Sequence, residues 1–379
     1  MENESTNPSS FSKNPKQPIL EDLITNFSQE RFDYVLKEAN KLLSDYPTSF
    51  KLWNILGAVN TQMQKTQEAM QCYEKAIELQ HDYAEAHNNL GNLLKNEGQH
   101  EKAIISYKKA LEIKSDLYDA NYNLGVIFQE REDYPSAMTC YYKVLDVKHD
   151  YENALNNLGN LYREIGEYEK SLNTLNKAAQ IHPKSAEIKN SIGLTCRRQG
   201  HLDKAITSYK EAISLNINFA EAHNNLGIIF REQGDFKKAI NSYKKAIEIN
   251  PKYAEAYANI SKIKKFEHAD IQIDQMEKIY STGNMKEKTA CVLAFALGKV
   301  YGDIGDNEKA FTFLKEGNAL RKKLLNYDIS EDQLLFSQIK TSFELINESQ
   351  INITGNEFRT TPIFILGMPR SGTTLVEQI

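Results

Sequence analysis

From Lys51 onward the sequence repeats itself every 34 residues, and no other feature limits its fold so sharply. Gly57, Gly91, Gly125, Gly159, Gly193 and Gly227 mark the period, each preceded by Leu or Ile (Leu56, Leu90, Leu124, Leu158, Ile192, Leu226). Twelve residues after each glycine stands a small residue: Ala69, Ala103, Ala137, Ser171, Ala205 or Ala239. Four further on comes Tyr73, Tyr107, Tyr141, Leu175, Tyr209 or Tyr243, followed by Ala76, Ala110, Val144, Ala178, Ala212 or Ala246. Pro183 and Pro251 close two of the blocks. Every block reads as two helical stretches separated by a turn such as NEGQH or EQGDF. The small residues let the two helices cross closely, and the aromatic is expected to fill the wedge between neighbouring blocks. A single block cannot bury its own apolar face, so the blocks must stack into an all-α solenoid.

The pattern resembles the tetratricopeptide repeat. Six blocks cover residues 51–254, and a weaker one precedes them from Gln17, with Pro47 in the terminal proline column. Residues 1–16, MENESTNPSSFSKNPK, are polar and rich in Ser, Asn and Pro, and are expected to form a disordered leader. The repeat region is therefore set at 17–260. Residues 261–355 are expected to form a helical cap and linker. There the stretch EHADIQIDQMEKIYS reads as one helix, and a second helical pair carries Leu297-Gly298, Ala310 and Leu314 in the spacing of a degenerate repeat. The segment SEDQLLFSQIKTSFELINE reads as a last amphipathic helix.

One periodic column does not look like packing. Asn89, Asn123, Asn157, Asn225 and Asn259 recur on the first helix of the blocks, interrupted by Ile55 and Ser191. Beside them run Asn54, Asn88, Asn156, Asn190 and Asn224. Asparagine is a poor mid-helix residue because its amide competes for backbone bonds. A side-chain amide both donates and accepts, so a row of them can grip an extended polypeptide through its backbone, whatever its sequence. The row is similar to the asparagine ladder in the superhelix of the O-linked N-acetylglucosamine transferases, which holds acceptor peptides. The alternative is that these amides bond within or between blocks and serve the solenoid itself.

The chain closes on TPIFILGMPRSGTTLVEQI. Thr361–Leu366 is a short apolar run of the kind found in a buried strand, and it leads into a loop bracketed by Gly367 and Gly372. Such loops aim backbone N–H groups and a helix N-terminus at a phosphate. Thr373 stands where a nucleotide hydrolase has its lysine, which argues against ATP or GTP hydrolysis. The segment resembles the 5′-phosphosulfate loop of sulfotransferases, most closely the protein-tyrosine sulfotransferase group and the bacterial proteins that join tetratricopeptide repeats to such a domain. That resemblance implies 3′-phosphoadenosine 5′-phosphosulfate as the donor. Arg370 would steady charge on the leaving sulfuryl group as a catalytic residue, and Ser371, Gly372, Thr373 and Thr374 would join Arg370 in holding the 5′-phosphate. Residues 356–379 are then the beginning of an α/β sulfotransferase domain. The 3′-phosphate segment and general base would lie further on, so the 379 residues are expected to be an inactive piece of a longer enzyme.

The two readings are thus a sulfotransferase whose repeats recruit a polypeptide acceptor, with tyrosine favoured and a carbohydrate acceptor the alternative, and a non-catalytic interaction scaffold. Composition is neutral between them. Forty-six basic and 51 acidic residues leave a charge of −5, which points to neither nucleic acid nor an anionic membrane. No stretch approaches eighteen consecutive apolar residues, so no membrane span is expected. The four cysteines are scattered without CxxC spacing, which fits a reducing cytoplasm and argues against a metal site.

Overall fold

The computed structural model describes residues 14–283 and 285–345, and among these every regular element is a helix. The chain divides into two compact units, residues 1–317 and 318–379. In the first unit helices come in pairs. Helix α1 (Gln17–Ser28) precedes α2 (Phe32–Asp45), and α3 (Phe50–Gln62) precedes α4 (Thr66–Leu79). The next pairs are α5 (Ala84–Asn96) with α6 (His100–Ile113) and α7 (Tyr118–Glu130) with α8 (Tyr134–Val147). Then follow α9 (Glu152–Glu164) with α10 (Tyr168–Ile181), α11 (Ala186–Arg198) with α12 (Leu202–Leu215), and α13 (Ala220–Glu232) with α14 (Phe236–Ile249).

The periodic residues explain why the pairs close. A Cβ on Gly57 would lie 2.5 Å from the ring of Tyr73, and a Cβ on Gly91 would lie 2.7 Å from Tyr107. The glycine of the first helix is therefore the seat of the aromatic from the second helix of the same block. This corrects the expectation that the ring is chiefly a wedge between blocks. Its far side does reach the next block, because Tyr73 shares a core with Leu93 and Tyr209 shares one with Leu226 and Ile229. Where the block carries Leu175 instead, that side chain takes the seat, 2.5 Å from the Cβ position of Gly159.

Between the two helices the chain turns through a left-handed residue seven positions after the helix glycine. Gly200 at φ 81° is the type of this turn, which His201 closes by donating its N–H to the Cys196 carbonyl. Gln64 and Glu132 occupy the same place with φ 59° and 60°. Side-chain caps start some helices: the hydroxyls of Ser49 and Ser185 accept from the N–H groups of Leu52 and Ile188.

The first helices of successive blocks pack on one another, α1 on α3, α3 on α5, α5 on α7, α9 on α11, α11 on α13. No comparable packing joins successive second helices among the described residues. The first helices therefore line the shorter, inner side of the stack.

After α14 the register changes. Helix α15 (Ala254–Ser261) is short, and its main partner is α17 (Glu287–Asp303), with α16 (Ile271–Ser281) inserted between them in sequence. Tyr257, Ile260, Phe266, Met276, Leu297 and Val300 form one core across these helices. The helix expected from Glu267 begins only at Ile271. Residues 267–270 make a turn instead, in which the Asp270 carboxylate accepts the Glu267 N–H. Helix α18 runs Asn307–Leu324, and Leu314 sits on Gly298 as Leu175 sits on Gly159, with 2.7 Å to the Cβ position. In the second unit α19 spans Ile329–Leu345. The strand and loop expected over 361–379, and the leader over 1–13, lie outside the described residues.

Candidate functional site

Two positions on each first helix, three and two residues before the glycine, build a lane along the inner side. Its rungs run from block to block. Asn89 Nδ2 donates to Asn54 Oδ1, Asn225 Nδ2 to Asn190 Oδ1, and Asn259 Nδ2 to Asn224 Oδ1, each at 3.0 Å. The same rung forms at Tyr122, whose hydroxyl receives Asn157 Nδ2 at 3.4 Å; Asn157 also donates to the Tyr141 hydroxyl at 3.1 Å.

Two rungs are missing, for identifiable reasons. Asn123 Nδ2 turns to Asn92 Oδ1 and to the Asp119 carbonyl, both at 3.0 Å, and leaves Asn88 Oδ1 buried without a partner. Ser191 stands where the next donor would be, and Asn156 Oδ1 is likewise buried and unpartnered. Buried carbonyls of this kind cost about 1–3 kcal/mol each. All five asparagines of the proposed column thus spend their N–H groups inside the solenoid. Their oxygens differ: Asn123 Oδ1 accepts from Lys95 Nζ at 2.6 Å, whereas those of Asn89, Asn157, Asn225 and Asn259 accept nothing among the described residues. Where Ile55 interrupts the column, the lane widens into a cavity of about 290 Å³ lined by Leu20, Ile24, Phe27, Ala58 and Tyr83.

A second column shares this side, four residues after the glycine. It reads Thr61, Lys95, Gln129, Arg163, Arg197, Arg231. The sequence reading passed over it, although the same 34-residue period displays it. The tyrosines beneath report its chemistry. Tyr73 pairs with Thr61, and Tyr141 donates to Gln129 Oε1 at 2.8 Å; in the block of Lys95, Tyr107 donates to Asn92 Oδ1 instead. Under Arg197 and Arg231 the hydroxyls of Tyr209 and Tyr243 are buried and have no partner. Arginine carries only donors, so it offers the phenolic proton nothing to bind. Burial pushes the Tyr243 hydroxyl up to about 12, so it stays protonated.

The predicted donor-binding residues Arg370, Ser371, Gly372, Thr373 and Thr374 lie outside the described residues, so the structure brings them to no site.

Comparison with known proteins agrees with this geometry. Models described as "Tetratricopeptide repeat" match residues 84–117 and 220–253 and residues 116–184 and 150–218, and one described as "TPR repeat" matches 57–98. The chain is a tetratricopeptide-repeat protein. An uncharacterized protein of Aquifex aeolicus (strain VF5) is 33% identical over 118 residues, which are 31% of this chain and 15% of that protein. The chain thus spans only a small part of that relative. Among solved structures, the hetero-tetramer Cut9–Hcn1 of APC/C aligns over 66% of this chain and 49% of its own, at 17% identity and a TM-score of 0.55. A tetratricopeptide repeat protein from Parabacteroides merdae aligns over 64% of this chain and 96% of its own, at 18% identity and a TM-score of 0.52. These likenesses concern the repeat fold. Among the described residues no helix is long and apolar enough to cross a membrane.

Proposed function

We propose that this protein is an interaction scaffold whose inner lane holds an extended polypeptide by its backbone. The observation that carries the reading is the row of unused side-chain carbonyls at Asn89, Asn157, Asn225 and Asn259. Each amide is oriented by the N–H it donates to the neighbouring block, which leaves an acceptor repeated along the stack. Peptide N–H groups are the complementary donors, and they are present in every sequence. The partner is thus recognised by its extended backbone before its side chains. Four buried thiols, none in a disulfide, suit a cytoplasmic setting for such a scaffold.

The test is binding of fluorescent extended peptides, compared with the same peptides N-methylated on alternate residues. N-methylation removes the donor while keeping the side chains, and it is expected to weaken binding by about tenfold or more, a loss of about 1.4 kcal/mol. Asn89→Ala/Asn157→Ala/Asn259→Ala should reproduce that loss while remaining folded by circular dichroism. Equal affinity for methylated and unmethylated peptides would overturn the reading.

A second reading rests on the sequence GMPRSGTT alone. In it Arg370, Ser371, Gly372, Thr373 and Thr374 hold the 5′-phosphate of 3′-phosphoadenosine 5′-phosphosulfate, Arg370 stabilises the departing sulfuryl group, and the lane presents a polypeptide acceptor, with tyrosine favoured. In a chain that also carries the 3′-phosphate segment, titration calorimetry with 3′-phosphoadenosine 5′-phosphate separates the two. Saturable binding abolished by Arg370→Ala supports sulfuryl transfer, and absence of binding supports the scaffold.

A further inference from the structure

One block departs from the others at two positions, and both departures are tyrosine. Where Ala84, Ala186, Ala220 and Ala254 begin the first helix of other blocks, α7 begins with Tyr118. At the lane position held elsewhere by Asn54, Asn88, Asn156, Asn190 and Asn224, it carries Tyr122. The next block adds Tyr151, at the N-cap of α9. These three rings gather at the edge of the lane. The centroids of Tyr118 and Tyr151 are 5.6 Å apart with their planes inclined at 58°, and Tyr122 meets Tyr151 edge-on at 5.3 Å. The Tyr122 hydroxyl is also the acceptor of the Asn157 rung, so the rings border the stretch of lane where the Asn157 oxygen is unused.

The structure also shows what such a wall receives. Lys148, at the C-cap of α8, places its ammonium 5.3 Å from the centre of the Tyr118 ring and 5.2 Å from that of Tyr151. Both distances are within reach of a cation–π contact, in which the negative face of the ring attracts the charge. One block earlier the equivalent lysine behaves differently, because Lys114 turns to Glu85 at 3.7 Å. Asp119 stands where Glu85 stands, yet it forms no ion pair among the described residues. It is half-buried, and burial raises its carboxyl above the ordinary value, which the charge of Lys148 offsets only in part. Lys148 is itself exposed, so its hold on the rings is weak. Two ring faces and a half-buried carboxylate thus share one loosely held ammonium.

Building on the backbone-holding lane proposed above, we infer that Tyr118, Tyr122, Tyr151 and Asp119 form a seat for a lysine or arginine side chain of the bound polypeptide, which Lys148 fills until that side chain displaces it. An extended segment held at Asn157 points alternate side chains to opposite sides, so one of them reaches the rings. A cation there gains the ring faces and the Asp119 carboxylate together, while the Lys148 ammonium returns to water. A neutral side chain that displaced Lys148 would leave Asp119 half-buried without a counter-charge, so the seat discriminates by charge.

The test uses the full 379-residue chain and fluorescein-labelled Gly-Ser octapeptides carrying a central lysine, arginine or norleucine. Norleucine keeps the lysine stem and removes its charge. Anisotropy is followed at about 300 mM salt, where the screening length is roughly 6 Å and the chain's overall −5 attracts little. The lysine and arginine peptides are expected to bind about five- to tenfold more tightly than the norleucine peptide. Tyr118→Leu/Tyr151→Leu keeps apolar bulk without the ring faces and should abolish that margin, whereas Tyr118→Phe/Tyr151→Phe should preserve it. Lys148→Met removes the resident ammonium and should widen the margin by about two- to threefold. Tyr34→Leu/Phe236→Leu, at exposed aromatics elsewhere in the solenoid, should leave it unchanged. Circular dichroism checks that each variant is folded. Equal binding of the lysine and norleucine peptides overturns this inference and leaves the lane standing. A margin that survives loss of both rings in a folded variant also overturns it, as does a margin that Lys148→Met leaves unchanged or narrows. Failure of every peptide to bind overturns the lane reading as well.

Discussion

Gly193 and Tyr209 compete for one volume: a Cβ added to the glycine would stand 2.5 Å from the tyrosine Cε1. The ring is 0% exposed and has no room to retreat. Gly193→Ala is therefore expected to destabilise the protein by about 1–3 kcal/mol through overpacking, despite alanine's better helix propensity. Gly302→Ala, in α17 with nothing within 4 Å of the Cβ position, should instead gain up to about 1 kcal/mol. Urea unfolding of the two variants checks the contrast, and a loss at both positions would show that space is not the cause.

The turn within each block makes a complementary forecast. Glu132 adopts φ 60° where Gly98, Gly166, Gly200 and Gly234 stand in other blocks. A left-handed conformation costs a side-chain-bearing residue about 1–2 kcal/mol, part of which glycine returns as lost chain entropy. Glu132→Gly should stabilise by a few tenths to about 1 kcal/mol, while Gly200→Ala should destabilise by about 1–2 kcal/mol. Thermal unfolding reads both.

Tyr141 and Tyr243 predict opposite signs for one chemical change. The Tyr141 hydroxyl donates to Gln129 and accepts from Asn157, so Tyr141→Phe should lose about 1 kcal/mol. The Tyr243 hydroxyl is buried without a partner, so Tyr243→Phe should be neutral or stabilising by up to about 1 kcal/mol. Destabilisation of equal size at both sites would contradict the bonding described here.

The rungs of the lane are testable as pairs. A double-mutant cycle on Asn190 and Asn225, joined at 3.0 Å across 35 residues, should show a coupling of about 0.5–1.5 kcal/mol. The same cycle on Asn156 and Ser191, where no rung forms, should show coupling near zero.

His223 supplies a pH dependence. Its ring nitrogen bonds the Ile217 carbonyl, but burial outweighs that bond and holds the imidazole below its ordinary value of 6.5. The folded state then favours the neutral ring. Its contribution to stability is fully present above pH 6.5, and it is lost as pH falls through the depressed folded value. His223→Gln should lose less stability than the parent between pH 7.5 and about 5, measured by denaturant midpoint. An unchanged difference would remove His223 as the cause.

Much of the fold was legible because period and chemistry coincide. The glycine, small-residue and tyrosine columns each recur at 34 residues, so the helix pairs and their stacking are readable from spacing. The seat of the ring was not. Tyr73 lies sixteen residues from Gly57 and about as far from the next block's helix, and spacing does not reveal which contact the ring makes first. The start of α16 was missed for a local reason: Asp270 carries no periodicity, yet its carboxylate accepts the Glu267 N–H and closes Glu267–Asp270 as a turn ahead of the helix.

The asparagines divide in the same way. Their columns follow from the sequence alone, and so does the conclusion that something other than core packing maintains them. Which atoms remain available was decided only when blocks stacked. Stacking brings Asn190 to Asn225, and at Asn156 it finds Ser191, too short to complete the rung. The sequence by itself determined the repeating helical pair, because propensity and periodicity act within one block. Tertiary structure decided which amides of the inner lane donate and which oxygens stay free, because each rung is completed by a residue one block away.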